Sequence, residues 1–261
     1  MTTPYVSQTQ YGKYENFALQ VSRGQIQGHR NVTVFGFNPD VDTTQVSVWP
    51  LPSLITFPAA ALQMTVSSTS ASDTSAGTGA RTIVVQGLDA NYNEISETVT
   101  MNGQTAVTMT KAMLRINYAY VATAGSGNSA AGDIYIGTGT VTAGVPATVY
   151  DIIKFDYNTT TTGSYTIPAD YTAYVSQGLF SAGQAGGSNQ VQGRLLTRGT
   201  NNIRMTAAIT SLNNGVADYV FEYPLAVPEK TTIEATAIGS SSNNACSSMF
   251  ILVLIKNSTG Y

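Results

Sequence analysis

In Leu114-Arg115-Ile116-Asn117-Tyr118-Ala119-Tyr120, large apolar side chains at 114, 116, 118 and 120 alternate with Arg115, Asn117 and Ala119. A period of two marks a half-buried strand, because successive side chains leave a strand on opposite faces. The pattern recurs outward from this stretch. Ile83 and Val85 face one way within residues 81–86, Ile203, Met205, Ala207 and Ile209 share a face, and so do Tyr219, Phe221 and Tyr223. Turn-forming clusters separate these runs: Asp89-Ala90-Asn91, Asn102-Gly103, Gly125-Ser126-Gly127-Asn128 and Asn213-Asn214-Gly215. Asn and Gly accept the positive φ that tight hairpins require. The best helical candidate, residues 108–114, is short. The sequence predicts an all-β protein of β-sandwich or jelly-roll type, with many short antiparallel strands.

Composition narrows the function. Charged residues are 10% of the 261, net charge is −3, and there is one His, one Cys and one Trp against 24 Gly and 15 Tyr. Nucleic acid and anionic membranes both need clustered Lys and Arg, so neither is expected as a partner. A His/Cys zinc site needs three or four ligands where two residues exist. A Ser-His-Asp arrangement would have to use His29, which Gly28-His29-Arg30 places in an exposed turn. No enzyme activity, metal or cofactor is expected. Cys246 reads as a buried structural thiol. The opening MTTPYVSQTQYGKYENF has no apolar run, so no cleaved leader is expected. The longest apolar run, residues 249–255, suits one buried strand and is too short to span a bilayer.

Three zones follow from the punctuation: an extended N-terminal arm over 1–20 with spaced aromatics, a β-rich domain over 21–150, and a jelly-roll-like sandwich over 151–261. Strands from residues 21–60 could complete the C-terminal sheet. Arg194, Arg198 and Arg204 read as solvated strand and loop positions. Glu97 shares a face with Ile95, Val99 and Met101, so it should be partly buried, with Arg81 or Arg115 as its natural partner. Asp40-Val41-Asp42 is the one close aspartate pair and a weak ion candidate. The Gly-rich pieces over 125–132 and 137–144 have no helix after them and read as turns rather than phosphate loops.

The run from Ser72-Asp73-Thr74 through Gly77-Thr78-Gly79-Ala80-Arg81 to Asp89-Ala90-Asn91-Tyr92-Asn93-Glu94 resembles virion structural proteins of tailed bacteriophages, including those of cyanobacterial and marine hosts. Glu97-Thr98-Val99, Asn102-Gly103-Gln104-Thr105-Ala106-Val107 and Arg115-Ile116-Asn117 extend the likeness. Tyr165-Thr166-Ile167-Pro168, Phe221-Glu222-Tyr223-Pro224 and Val227-Pro228-Glu229-Lys230 match in the C-terminal half. The resemblance implies a particle component, a capsid decoration or cement protein with jelly-roll character, and carries over no catalytic residue.

The expected role is therefore a virion protein made in the host cytoplasm. It would bind the outer capsid surface, with the phage major capsid protein as partner, as a homo-oligomer, most simply a trimer. Tyr5, Tyr11, Tyr14 and Phe17 of the arm are the expected interface residues, since aromatic side chains concentrate binding energy. The alternative is a carbohydrate-binding tail or head-fibre component that contacts a host glycan, with Trp49, Tyr171 and Tyr174 stacking on sugar rings.

Overall fold

The computed structural model describes residues 15–184 and 189–257. The described chain enters through one short helix, α1 (Phe17–Ser22), then β1 (His29–Val41) and β2 (Val46–Ser47). Next come β3 (Leu62–Ser68), β4 (Ala80–Leu88), β5 (Glu94–Thr100), β6 (Val107–Met113), β7 (Arg115–Ala124), β8 (Ile134–Thr142) and β9 (Val145–Ile153). The last part holds β10 (Ser164–Thr166), β11 (Tyr171–Gln184), β12 (Val191–Arg198), β13 (Arg204–Leu212), β14 (Gly215–Val227), β15 (Thr232–Gly239) and β16 (Asn244–Lys256). The fold is all-β, in four small antiparallel sheets. The short helical candidate at 108–114 falls in strand β6, Val107–Met113, with Leu114 just beyond it. The arm expected to be extended is instead helical from Phe17 to Ser22, where the Asn16 side chain caps the helix by accepting from the Ala18 N–H at 2.8 Å. No described helix is long and apolar enough to cross a membrane.

The sheets pair face to face. In the larger sandwich, β1-β16-β11-β14 faces β10-β15-β12-β13, and β2 also joins β15. Val34, Val175, Phe180, Phe250, Leu252 and Leu254 from the first sheet meet Val191, Leu195, Ile233, Ala235 and Ala237 from the second in one core. Burying each large aliphatic side chain contributes about 1.5–3 kcal/mol. In the smaller sandwich, β6-β3-β8-β9 faces β5-β4-β7 over Met64, Val66, Ile83, Val85, Met109, Ile134 and Ile136. A third cluster of Trp49, Ile55, Tyr135 and Ile152 lies where the chain passes from one sandwich to the other.

That passage takes an unusual route. β2 and β10 both run antiparallel to β15, at Ala237–Thr236 and at residues 232–234 respectively. Between them the Val48 N–H donates to Ala235 O at 2.8 Å, the Ala235 N–H to Gly163 O at 2.7 Å, and the Gly163 N–H to Val48 O at 3.0 Å. Together β2 and β10 form a single strand position, interrupted at Val48 and resumed at Gly163, and residues 49–162 leave to build the second sandwich. A Cβ on Gly36 would run into Val48 O and the Gly163 Cα, so the crossing depends on glycine there. With β2 and β10 counted as one, the eight strand positions run 1-8-3-6 in one sheet and 2-7-4-5 in the other. Residue 150, the boundary expected from composition, lies inside β9. Residues 29–48 pack with the C-terminal core.

β-Bulges break three of the alternations read from sequence. Gln86 pairs Tyr118 and Gly87 pairs Ile116, leaving Asn117 without a partner residue. Ile116 and Ala119 therefore both reach the smaller core, while Tyr118 is turned outward. Likewise Leu195 pairs Ala208 and Leu196 pairs Thr206, so Met205 and Ile209 lie on opposite faces. In β14 the pairing with β11 is irregular between Val220 and Leu225, and Tyr223 is strongly exposed there.

Candidate functional site

Three fully buried carboxylates sit in the fold, and each is occupied by donors of the chain itself. Asp73 Oδ1 accepts from the Ala80 and Ala131 N–H groups at 2.6 and 2.8 Å. Its Oδ2 accepts from the Ser68 hydroxyl at 2.5 Å and the Gly132 N–H at 3.1 Å. One side chain thus ties three loops of the smaller sandwich. Asp151 accepts from the Thr162 hydroxyl at 2.5 Å and the Ile152 N–H at 2.8 Å. Burial raises its carboxyl to about 7, against the lowering effect of those two bonds. Glu234 accepts from the Ser47 hydroxyl at 2.7 Å and pairs with Arg204 at 3.3 Å and Arg198 at 3.5 Å.

Arg198 is therefore not the solvated residue expected. It is buried, and desolvation lowers its guanidinium to about 10 despite Glu234. Arg198 and Arg115 lie over the same Phe57 ring, at 4.2 and 4.6 Å from its centroid, one from each sandwich. Glu97 pairs with neither Arg81 nor Arg115. It accepts from the Thr110 and Lys111 N–H groups, both at 2.8 Å. Burial acts to raise its carboxyl, but these backbone bonds outweigh it and hold Glu97 below the usual glutamate range.

The residues proposed for sugar stacking do not form one surface. Trp49 is buried, its indole N–H donating to Ser53 O at 2.7 Å, so neither ring face is open to a ligand. Tyr171 packs against the larger core with Arg30 over its ring at 5.0 Å. Tyr174 lies three residues along β11 and so on the opposite face. Of the arm residues, Tyr5, Tyr11 and Tyr14 lie outside the described residues. Phe17, in α1, stands edge-on to His29 at the start of β1, with ring centroids 5.9 Å apart, and is 54% exposed. Cys246 is buried, and desolvation alone pushes its thiol to about 12, which keeps it unreactive. Asp42 Oδ1 accepts from the Asn243 N–H at 3.1 Å. No group of three or more His, Cys, Asp or Glu gathers among the described residues.

A cleft of 810 Å³ lies between the sandwiches. Thr33 and Phe35 of β1 form one wall, Tyr118 and Ser96 the other, and the Thr159–Thr162 hydroxyls line the floor. An Arg30–Glu94 ion pair spans its end. Asn117, at the bulge, also lines the cleft and links β7 to β10: it donates to Thr166 O and accepts from the Thr166 N–H, both at 2.9 Å. Hydroxyls, one ion pair and the exposed rings of Phe35 and Tyr118 suit a neutral polar ligand. They form no nucleophile–base pair.

No family model matches the chain, and no curated protein does. Among solved structures, the chain is similar to the VP2 subviral particle of infectious bursal disease virus at 10% identity, covering 88% of this chain and 71% of that one, with a TM-score of 0.25. A structure of the Gx strain of the same virus gives 9% identity, 89% and 74% coverage, and a TM-score of 0.26. Superposition at this level assigns neither fold nor role.

Two of the buried acids left a trace in the sequence. Asp151 stands alone in Val149-Tyr150-Asp151-Ile152-Ile153, and Glu234 alone in Thr232-Ile233-Glu234-Ala235. A single acid inside a β-branched run signals burial with partners. Asp73 left none, because Ser-Ala-Ser-Asp-Thr-Ser reads as any polar loop.

Proposed function

We propose that this chain is a structural protein of a tailed-phage virion, bound to the outer capsid surface as an oligomeric decoration or cement protein, and that it acts by contact rather than catalysis. The strand order of the larger sandwich carries the reading. Positions 1-8-3-6 against 2-7-4-5 support a jelly-roll reading of this sandwich, an architecture that recurs in viral capsid and lectin domains. Fold alone assigns no function, but the use of polar groups supports the same direction: Asp73, Asp151, Glu234 and Glu97 each hold the architecture together. On a repeating shell, weak contacts from one oligomer combine through effective concentration. Particles stripped of this protein should bind the purified chain saturably on their outer surface and resist heat better once bound. Its absence from purified particles, or failure to bind stripped ones, overturns the reading.

The cleft favours one second reading, capture of a host glycan by a tail or head-fibre component. Saturable binding on a glycan array, lost on Tyr118→Ala, would support it. An array without saturable binding removes it.

A further inference from the structure

One edge of the larger sandwich lies open inside the cleft. Along β1 the backbone groups alternate in direction. Gly28 O accepts from the Lys256 N–H at 2.8 Å, so even-numbered residues bond β16, while the Phe37 N–H donates the other way, to Thr161 O at 3.1 Å. The N–H and C=O groups of Asn31, Thr33 and Phe35 therefore face the cleft, and among the described residues they have no hydrogen-bond partner. Open sheet edges are ordinarily covered, or blunted by Pro, Lys or a bulge. Residues 31–35, Asn-Val-Thr-Val-Phe, hold neither Pro nor Lys and pair β16 without a shift in register.

We infer that this edge is covered by the chain's own N-terminal segment, Tyr5 to Tyr11, added antiparallel to β1 as a further strand. The segment lies outside the described residues, and its sequence suits the role. Tyr5-Val6-Ser7-Gln8-Thr9-Gln10-Tyr11 is seven residues without charge, Gly or Pro, rich in β-branched and aromatic types, between Pro4 and Gly12. Seven residues of strand span about 23 Å, and the open stretch of β1 over 30–35 spans about 20 Å. The connection is short as well. Phe17 stands against His29, so the described chain starts at the end of β1 where the cleft opens. Asn31 fastens α1 there by donating to the Ser22 hydroxyl at 2.6 Å. From Glu15, residues 12–14 reach about 10 Å, and a segment entering from that end runs against the direction of β1. So short a link selects the same chain over a second copy. Polarity matches too: the segment is neutral, and the cleft's Arg30 and Glu94 neutralise each other. Gln86, Ser96 and the floor threonines are hydrogen-bonding neighbours for its Ser, Thr and Gln side chains.

The inference stands apart from the virion reading and is tested without any particle. In the full chain the Thr33 and Phe35 amides should be protected from hydrogen exchange, measured by NMR, to an extent that does not change on dilution. Deleting residues 1–14 should speed their exchange at least tenfold, with the Val32 and Val34 amides, which bond β16, unchanged. A synthetic peptide of residues 1–14 should restore the protection saturably. If the truncated chain does not fold, Thr33→Pro in the full chain takes its place, since it removes one edge donor and spares the pairing with β16. That variant should speed exchange of amides 5–11 at least tenfold. Equal exchange at Thr33 and Phe35 with and without the segment overturns the inference, and so do amides 5–11 that exchange as fast in the wild type as in Thr33→Pro. Protection lost on dilution overturns it as well and gives the edge to the segment of another copy. A chain that never binds particles sinks the virion reading alone.

Discussion

Each sandwich has a place where an edge strand of one sheet meets an edge strand of the other, and the two are finished differently. In the smaller sandwich β5 and β6 are stitched: Glu97 accepts two backbone N–H groups of β6, and Lys111 Nζ donates to Ser96 O at 2.6 Å. In the larger sandwich β13 and β14 share a single side-chain link, Tyr219 Oη–H to Ile209 O at 3.2 Å. The exposed large apolar residues on strands of the smaller sandwich, Leu62, Tyr118 and Val145, do not exceed 40% exposure, whereas Val220 and Tyr223 stand at 74% and 84%. The contrast separates an edge closed by polar groups of its own from one whose apolar side chains stay exposed on the single chain.

Mutations can break or sharpen that contrast. Asp73→Ala should cost the most, about 5 kcal/mol, because it strands three buried backbone N–H groups and a hydroxyl at about 1–3 kcal/mol each. Calorimetry of the variant checks this, and a loss under 1 kcal/mol would deny that the smaller sandwich is held from within. Asp151 gives a pH signature. Its folded carboxyl is raised to about 7, so the unfolded chain releases that proton first as pH rises. The group's stabilisation is complete below about pH 4 and is lost by about pH 7, a fall of about 4 kcal/mol. Denaturant midpoints across that window should fall for the wild type and flatten for Asp151→Asn.

Glu97→Ala should cost about 1–2 kcal/mol, with faster hydrogen exchange confined to β6. Acid acts in the same direction: the lowered Glu97 carboxyl contributes stability above the unfolded glutamate range, and that contribution is lost as pH falls through its folded value. Least affected should be Ile209→Thr with Val216→Thr, within about 0.5 kcal/mol per site when dilute protein is unfolded. A large loss there would mean that the free edge belongs to the core of the single chain.

Some elements were legible from local pattern. Period-two runs placed β4, β7, β13 and β14, and Asp89 forms the expected turn by accepting from the Asn91 and Asn93 N–H groups at 2.8 and 2.9 Å. The cap at Asn16 lies in the stretch expected to be extended, because a six-residue helix is too short to show a period. Trp49, preceded by Val46 and Val48 and followed by Pro50 and Pro52, reads as a strand end capping a core as well as a stacking candidate, and the packing of Ile55, Tyr135 and Ile152 around it agrees with the core reading.

The sequence by itself determined the all-β class, the turns and the scarcity of reactive groups, because these depend on neighbours within a few residues. Tertiary structure alone decided which strands share a sheet, that one strand position is split around 114 residues from 49 to 162, and that Asp73 is buried among its own donors. Those outcomes depend on contacts between residues far apart in the chain, and a one-residue bulge, as at Asn117, reverses a face without leaving a mark in the local pattern.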